Sequence, residues 1–67
     1  MRAPDTTTLW MMRLGPDHVS CVGRILPHGV EVEIVFNNAP LMSRVFDTGD
    51  AAFEWAEAKR EDWRTRA

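Results

Sequence analysis

Seven residues constrain this chain more than any others: Val30-Glu31-Val32-Glu33-Ile34-Val35-Phe36. Apolar and acidic side chains alternate with a period of two, which is the pattern of a strand with one buried face. A turn signal follows at Asn37-Asn38-Ala39-Pro40, and the chain returns as Leu41 to Phe46. Two such runs around a turn read as a β-hairpin.

The segments on either side extend the sheet. Met1 to Thr6 reads as a disordered tail. Leu9 to Leu14 reads as a first strand, and Gly15-Pro16-Asp17-His18 as a turn in which proline presets one dihedral. Val19 to Leu26 reads as a second strand, closed by a two-residue turn on His28-Gly29. After Phe46 the period changes. Asp47-Thr48-Gly49-Asp50 offers capping side chains, and Ala51 to Arg64 is spaced as a helix. Ala52, Phe53, Ala56 and Trp63 fall on its apolar stripe. The expected fold is α+β: a four-stranded antiparallel β-meander with one C-terminal α-helix on one face (ββββα), one domain over residues 1–67.

Turn lengths give registers. Four-residue loops at Gly15–His18 and Asn37–Pro40, with the two-residue turn between them, place Leu14 opposite Val19, Trp10 opposite Gly23 and Val32 opposite Val45. The inner face then holds Trp10, Met12, Leu14, Val19, Cys21, Ile25, Val32, Ile34, Phe36, Leu41 and Val45. A slip of one residue in a strand would turn charges inward instead. On the outer face Met11, Val22, Val35 and Met42 form one row. Leu9, Arg24, Glu33 and Arg44 form the next, and Leu26, Glu31 and Phe46 a third. This face is either a solvated surface or an interface. Four aligned apolar side chains, two of them methionines, favour an interface.

Size points the same way. A 67-residue chain hides only about 60% of its unfolded surface. Disulfides, a metal or a partner subunit usually make up the shortfall. Cys21 is the only cysteine, and with His18 and His28 it supplies too few ligands for a zinc site. Self-association is the remaining device. The lone thiol suits a reducing, cytoplasmic compartment. The amino terminus lacks a signal peptide's apolar core, and no segment has the roughly 20 apolar residues of a membrane helix.

Catalytic chemistry is not indicated. His18 stands three residues from Cys21 and so on the opposite face of the strand, out of reach as a base. His18 and His28 are expected in turns at opposite ends of the second strand, about 30 Å apart. Asp47 and Asp50 read as helix caps. Gly15, Gly29 and Gly49 read as turns or the helix entry, and no glycine belongs to a phosphate-cradling loop. Glu31 and Glu33 share a face, but flanking arginines favour their ionised form, which is the wrong state for a general acid. No cofactor is expected.

The formal charge of −2 argues against nucleic acid. Seven of the eight basic residues are arginine, however, and Arg13, Arg24 and Arg44 beside Phe46 would make a weak single-strand platform. Heparin retention separates that alternative from the favoured one. Trp55, at the flank of the helix stripe, is either an interface anchor or a ring lying over the sheet edge.

Taken together, Pro27-His28-Gly29, Val32-Glu33-Ile34, Ser43-Arg44-Val45-Phe46, Ala52, Ala56, Lys59-Arg60 and Trp63 resemble short bacterial proteins of unknown function. The resemblance implies the meander-plus-helix layout and a bacterial cytoplasmic source, and it carries no activity. The function expected from the residues is a small non-enzymatic interaction module, homodimeric through the outer sheet face. Its contact residues would be Met11, Val22, Val35, Met42, Arg24, Glu33, Arg44, Phe46 and Trp55.

Overall fold

In the computed structural model, which describes residues 6–66, four strands and one helix follow in the expected order: β1 (Thr6–Leu14), β2 (Asp17–Leu26), β3 (Gly29–Phe36), β4 (Ala39–Phe46) and α1 (Gly49–Arg64). The strands form one open antiparallel sheet, ordered β1-β2-β3-β4. Thr6, expected in a disordered tail, belongs to β1; the other residues of that expected tail, 1–5, lie outside the described ones.

All three hairpin turns are two residues long, shorter than expected at two of them. Gly15 has φ +66°, which a side chain would strain, and Pro16 follows with its fixed negative φ. Pro27 and His28 turn β2 into β3, so Leu26 pairs with Gly29. Asn37 and Asn38 both have positive φ, 51° and 69°, as a type I′ hairpin turn requires. Asn37 also ties the ends together. Its side-chain oxygen accepts from the His18 N–H at 2.9 Å, and its amide donates to Asp17 at 3.0 Å.

Shorter turns at the first and third hairpins, and a middle turn one residue earlier than the expected His28-Gly29, move each register by two residues and leave the faces unchanged. Met12 therefore pairs with Val19, Trp10 with Cys21, Cys21 with Ile34, and Gly23 with Val32. Two β-bulges do change the faces. In β1 the register shifts at Leu9, so Leu9 and Trp10 both lie on the helix side. Leu9, not Trp10, covers Gly23, whose added Cβ would sit 3.5 Å from the leucine side chain. In β4 the register shifts at Leu41, so Ile34 pairs with Met42, Val32 with Arg44 and Val30 with Phe46. Everything beyond Leu41 is turned over relative to the sequence expectation.

The core is small: Trp10, Val19, Cys21, Val32, Ile34, Ala52 and Ala56 are buried. Met12, Leu14, Val30, Phe36, Phe46, Trp55 and Trp63 pack around it. Two alanines on the buried stripe let α1 lie close to the sheet. The Trp10 indole N–H donates to the Ala56 carbonyl at 2.9 Å and joins the first strand to the helix across 46 residues. Thr48, rather than either aspartate, caps α1, its hydroxyl oxygen accepting from the Ala51 N–H at 3.2 Å. Four residues expected inside are exposed. Leu41 is the unpaired residue of the β4 bulge, Val45 is turned outward beyond it, Ile25 lies beyond the helix's cover, and Phe53 falls off the buried stripe of Ala52 and Ala56.

Candidate functional site

The sheet's outer face follows from these registers. Thr6, Arg24, Glu31 and Val45 form its first row, Thr8, Val22, Glu33 and Ser43 its second, and Met11, Ser20, Val35 and Pro40 its third. The expected apolar row therefore does not form. Met11 and Val35 share a row, Val22 stands in the next, and Met42 is on the other face beside Ile34. The Arg24–Glu33–Arg44 ladder does not form either. Arg24 pairs directly with Glu31. That charge-assisted hydrogen bond, reinforced by the carboxylate's charge, raises the arginine's pKa further above its ordinary value.

The β4 bulge also moves Arg44 and Phe46 to the helix side. There the Phe46 ring meets Trp55 at 5.7 Å between centroids, and the Arg44 guanidinium lies 5.5 Å from the Phe46 ring. Arg13 and Arg24 stay on the outer face, so one basic aromatic platform for single-stranded nucleic acid is not assembled. Trp55 is half-buried between Phe46 and Lys59, whose ammonium stands 5.3 Å from the indole. At the helix's far end Trp63 stacks on Phe36 at 5.8 Å, with Arg66 over its other side at 4.5 Å.

Two concave regions stand out by volume among the described residues. One is an open depression of about 460 Å³ on the outer face, bordered by Met11, Arg13, His18, Ser20, Val35 and Asn37. The other, of about 280 Å³, lies on the helix side between β1–β2 and the start of α1. Leu9, Ile25 and Phe53 rim it, 37%, 73% and 57% exposed. Sequence patterning assigned none of these three to a binding surface. Two were expected in the core, and Leu9 was placed on the outer face. The signal that could have found the groove is width: one helix about 10 Å across cannot roof four strands spaced about 4.8 Å apart. α1 packs chiefly over β3 and β4, which leaves β1–β2 open at its N-terminal end.

Cys21 is buried at the sheet centre, and desolvation with a smaller push from Glu57 raises its thiol to about 11. The thiolate, the nucleophilic form, is thereby suppressed at neutral pH. His18 projects to the opposite face, as its spacing from Cys21 predicts, but it lies within β2 rather than in a turn. Among the described residues no three His, Cys, Asp or Glu side chains converge as metal ligands would. No helix among them is long and apolar enough to cross a membrane.

Compared with protein-family models, curated proteins and solved structures, the chain shows no match to any.

Proposed function

We propose that this chain is a small non-enzymatic protein-interaction module that works as a homodimer. The observation that carries this reading is the balance of apolar side chains. Among the described residues seven are buried, and as many large apolar ones stand exposed: Leu9, Met11, Ile25, Leu41, Met42, Val45 and Phe53. Two of the seven buried residues are alanines, so more large apolar side chains face water than fill the core. Leaving these side chains wet forgoes about 1.5–3 kcal/mol for each that a partner could bury fully. The Cα trace is only 15 Å thick against 37 and 30 Å across, so most side chains lie near a surface.

A second copy is the partner that needs no other gene product and is always present at matching concentration. A reducing cytoplasm suits the unoxidised Cys21. Sedimentation equilibrium tests the reading. The expected mass is twice the 7.7 kDa of one chain. A mass that stays at one chain's value up to the highest attainable concentration would overturn it.

A further inference from the structure

Resting on that homodimer reading, we propose that two copies join edge to edge along β1, making one eight-stranded antiparallel sheet with both helices on the same side. An open sheet has two edges, and an unprotected edge strand is a template for another strand. The edges here are unequal. Both carry a β-bulge, at Leu9 in β1 and at Leu41 in β4, but β4 alone carries a proline, Pro40, which has no N–H to donate. It also carries Arg44 in its second half, a charged edge residue of the kind that disfavours edge pairing. β1 has none of these charges or prolines over Thr6-Thr7-Thr8-Leu9-Trp10-Met11-Met12, seven successive uncharged residues. Its three threonines are β-branched and suit a strand. Its first charge, Arg13, stands next to the turn.

Symmetry also favours β1. An antiparallel strand pairs with its own copy about a two-fold axis perpendicular to the sheet, giving a closed isologous contact. That operation leaves the two helix-bearing faces on one side. The apolar groove of Leu9, Ile25 and Phe53 borders this edge, with Thr7 in its lining. With the two-fold axis near Thr8, joining the edges sets the two grooves side by side on the helix side, while the two Met11 side chains, each 69% exposed, lie on the outer face on either side of the axis. Strand pairing alone falls short of the roughly 800 Å² per partner of a standard interface. Leu9, Ile25 and Phe53 supply apolar area for the remainder.

Sedimentation equilibrium on four proteins decides it. Thr8→Lys places a charge on the β1 edge at an exposed position. Ser43→Lys does the same on β4, and Val35→Glu charges the middle of the outer face. Thr8→Lys should weaken the dimer at least about tenfold, which is 1.4 kcal/mol of association energy, with unchanged circular dichroism. The other two should dimerise as the parent does. A parent that is monomeric throughout overturns the homodimer reading itself. A dimer that tolerates Thr8→Lys, or one that only Val35→Glu breaks, overturns the β1 contact and leaves that reading standing. Hydrogen exchange on the parent covers a Thr8→Lys chain that does not fold. The β1 amides directed away from β2 should slow as protein concentration rises, and equal rates at low and high concentration would overturn the contact.

Discussion

β1 and β4 are both edge strands, both are interrupted by a bulge, and the two bulges have opposite consequences. At Leu9 the extra residue adds a second large side chain to the helix side next to Trp10. The result is a strand fastened deeply into the core by a buried ring and its hydrogen bond to Ala56. At Leu41 the extra residue turns the strand over. Val45 goes out to the face of Glu31, and Phe46 comes in against Trp55. β4 is therefore held by a single half-buried aromatic contact, and all its other residues are exposed. An edge can thus be well anchored and available for pairing, like β1, or loosely anchored and blunted, like β4. Anchoring comes from the side chains on the inner face, and availability from the charge and backbone donors at the rim.

The largest expected effect breaks the anchoring half of that contrast. Trp10→Ala removes a ring that is 7% exposed and should cost about 3–5 kcal/mol. A chain this short commonly has about 3–10 kcal/mol in total, so urea melts should show it largely unfolded. Phe46→Ala should cost clearly less, and equal losses would erase the distinction between the two anchors. Gly29→Ala comes next. A Cβ there would lie 2.3 Å from the Phe46 carbonyl oxygen, a backbone atom that can yield only by moving β4. A loss of about 1–3 kcal/mol is expected, with the Phe46–Trp55 contact disturbed in nuclear Overhauser spectra and the β1–β2 contacts intact.

A pH measurement probes the centre between the two edges. The Cys21 thiol ionises near 9.0 when unfolded and about 11 when folded, chiefly through burial. The unfolded chain thus releases its proton first. The thiol's contribution is fully present below pH 9 and is lost as pH rises from 9 through 11. The loss should reach at most about 3 kcal/mol, two pKa units at about 1.4 kcal/mol each. The difference in urea midpoint between the parent and Cys21→Ala, followed through that window, measures it. Parallel curves would show that Cys21 is not desolvated as its burial implies.

Much of this fold was legible because its segments agree internally. Alternation from Val30 to Phe36 set the faces of β3, and the switch to helical spacing after Asp50 placed α1. The faces of β2 and β3 survived a first turn two residues too long and a middle turn placed one residue too late, because each error moves the register by two and keeps parity. The bulges were illegible for the same reason. One unpaired residue has no composition signal, and Leu9 and Leu41 look like ordinary strand leucines. The surface suffered more than the core. Val19, Cys21, Val32 and Ile34 lie on the two central strands, whereas Met42, Arg44, Phe46, Leu9 and Phe53 all lie beyond a bulge or at the sheet's margin. An expected contact surface drawn across four strands needs every register to hold, and none of the three did.

The finest test concerns what selects the face of β4. The Asn37-Asn38 turn alone, continued without interruption, would bring Leu41, Ser43 and Val45 under the helix. The bulge brings Met42, Arg44 and Phe46 there instead. If Phe46 packing on Trp55 is what selects the second arrangement, deleting Leu41 should leave it in place. Pro40 would still pair with Val35 and Met42 with Ile34, now as a regular ladder. Stability should change by no more than about 1 kcal/mol, the scale of a cross-strand pair, and the Phe46–Trp55 contact should persist. The straightened strand would lose part of its edge protection and show a small concentration-dependent rise in mass. If Val45 replaced Phe46 against Trp55 in the deletion variant, the choice of face would belong to the hairpin as a whole, and the contrast between the two edges would lose its physical basis.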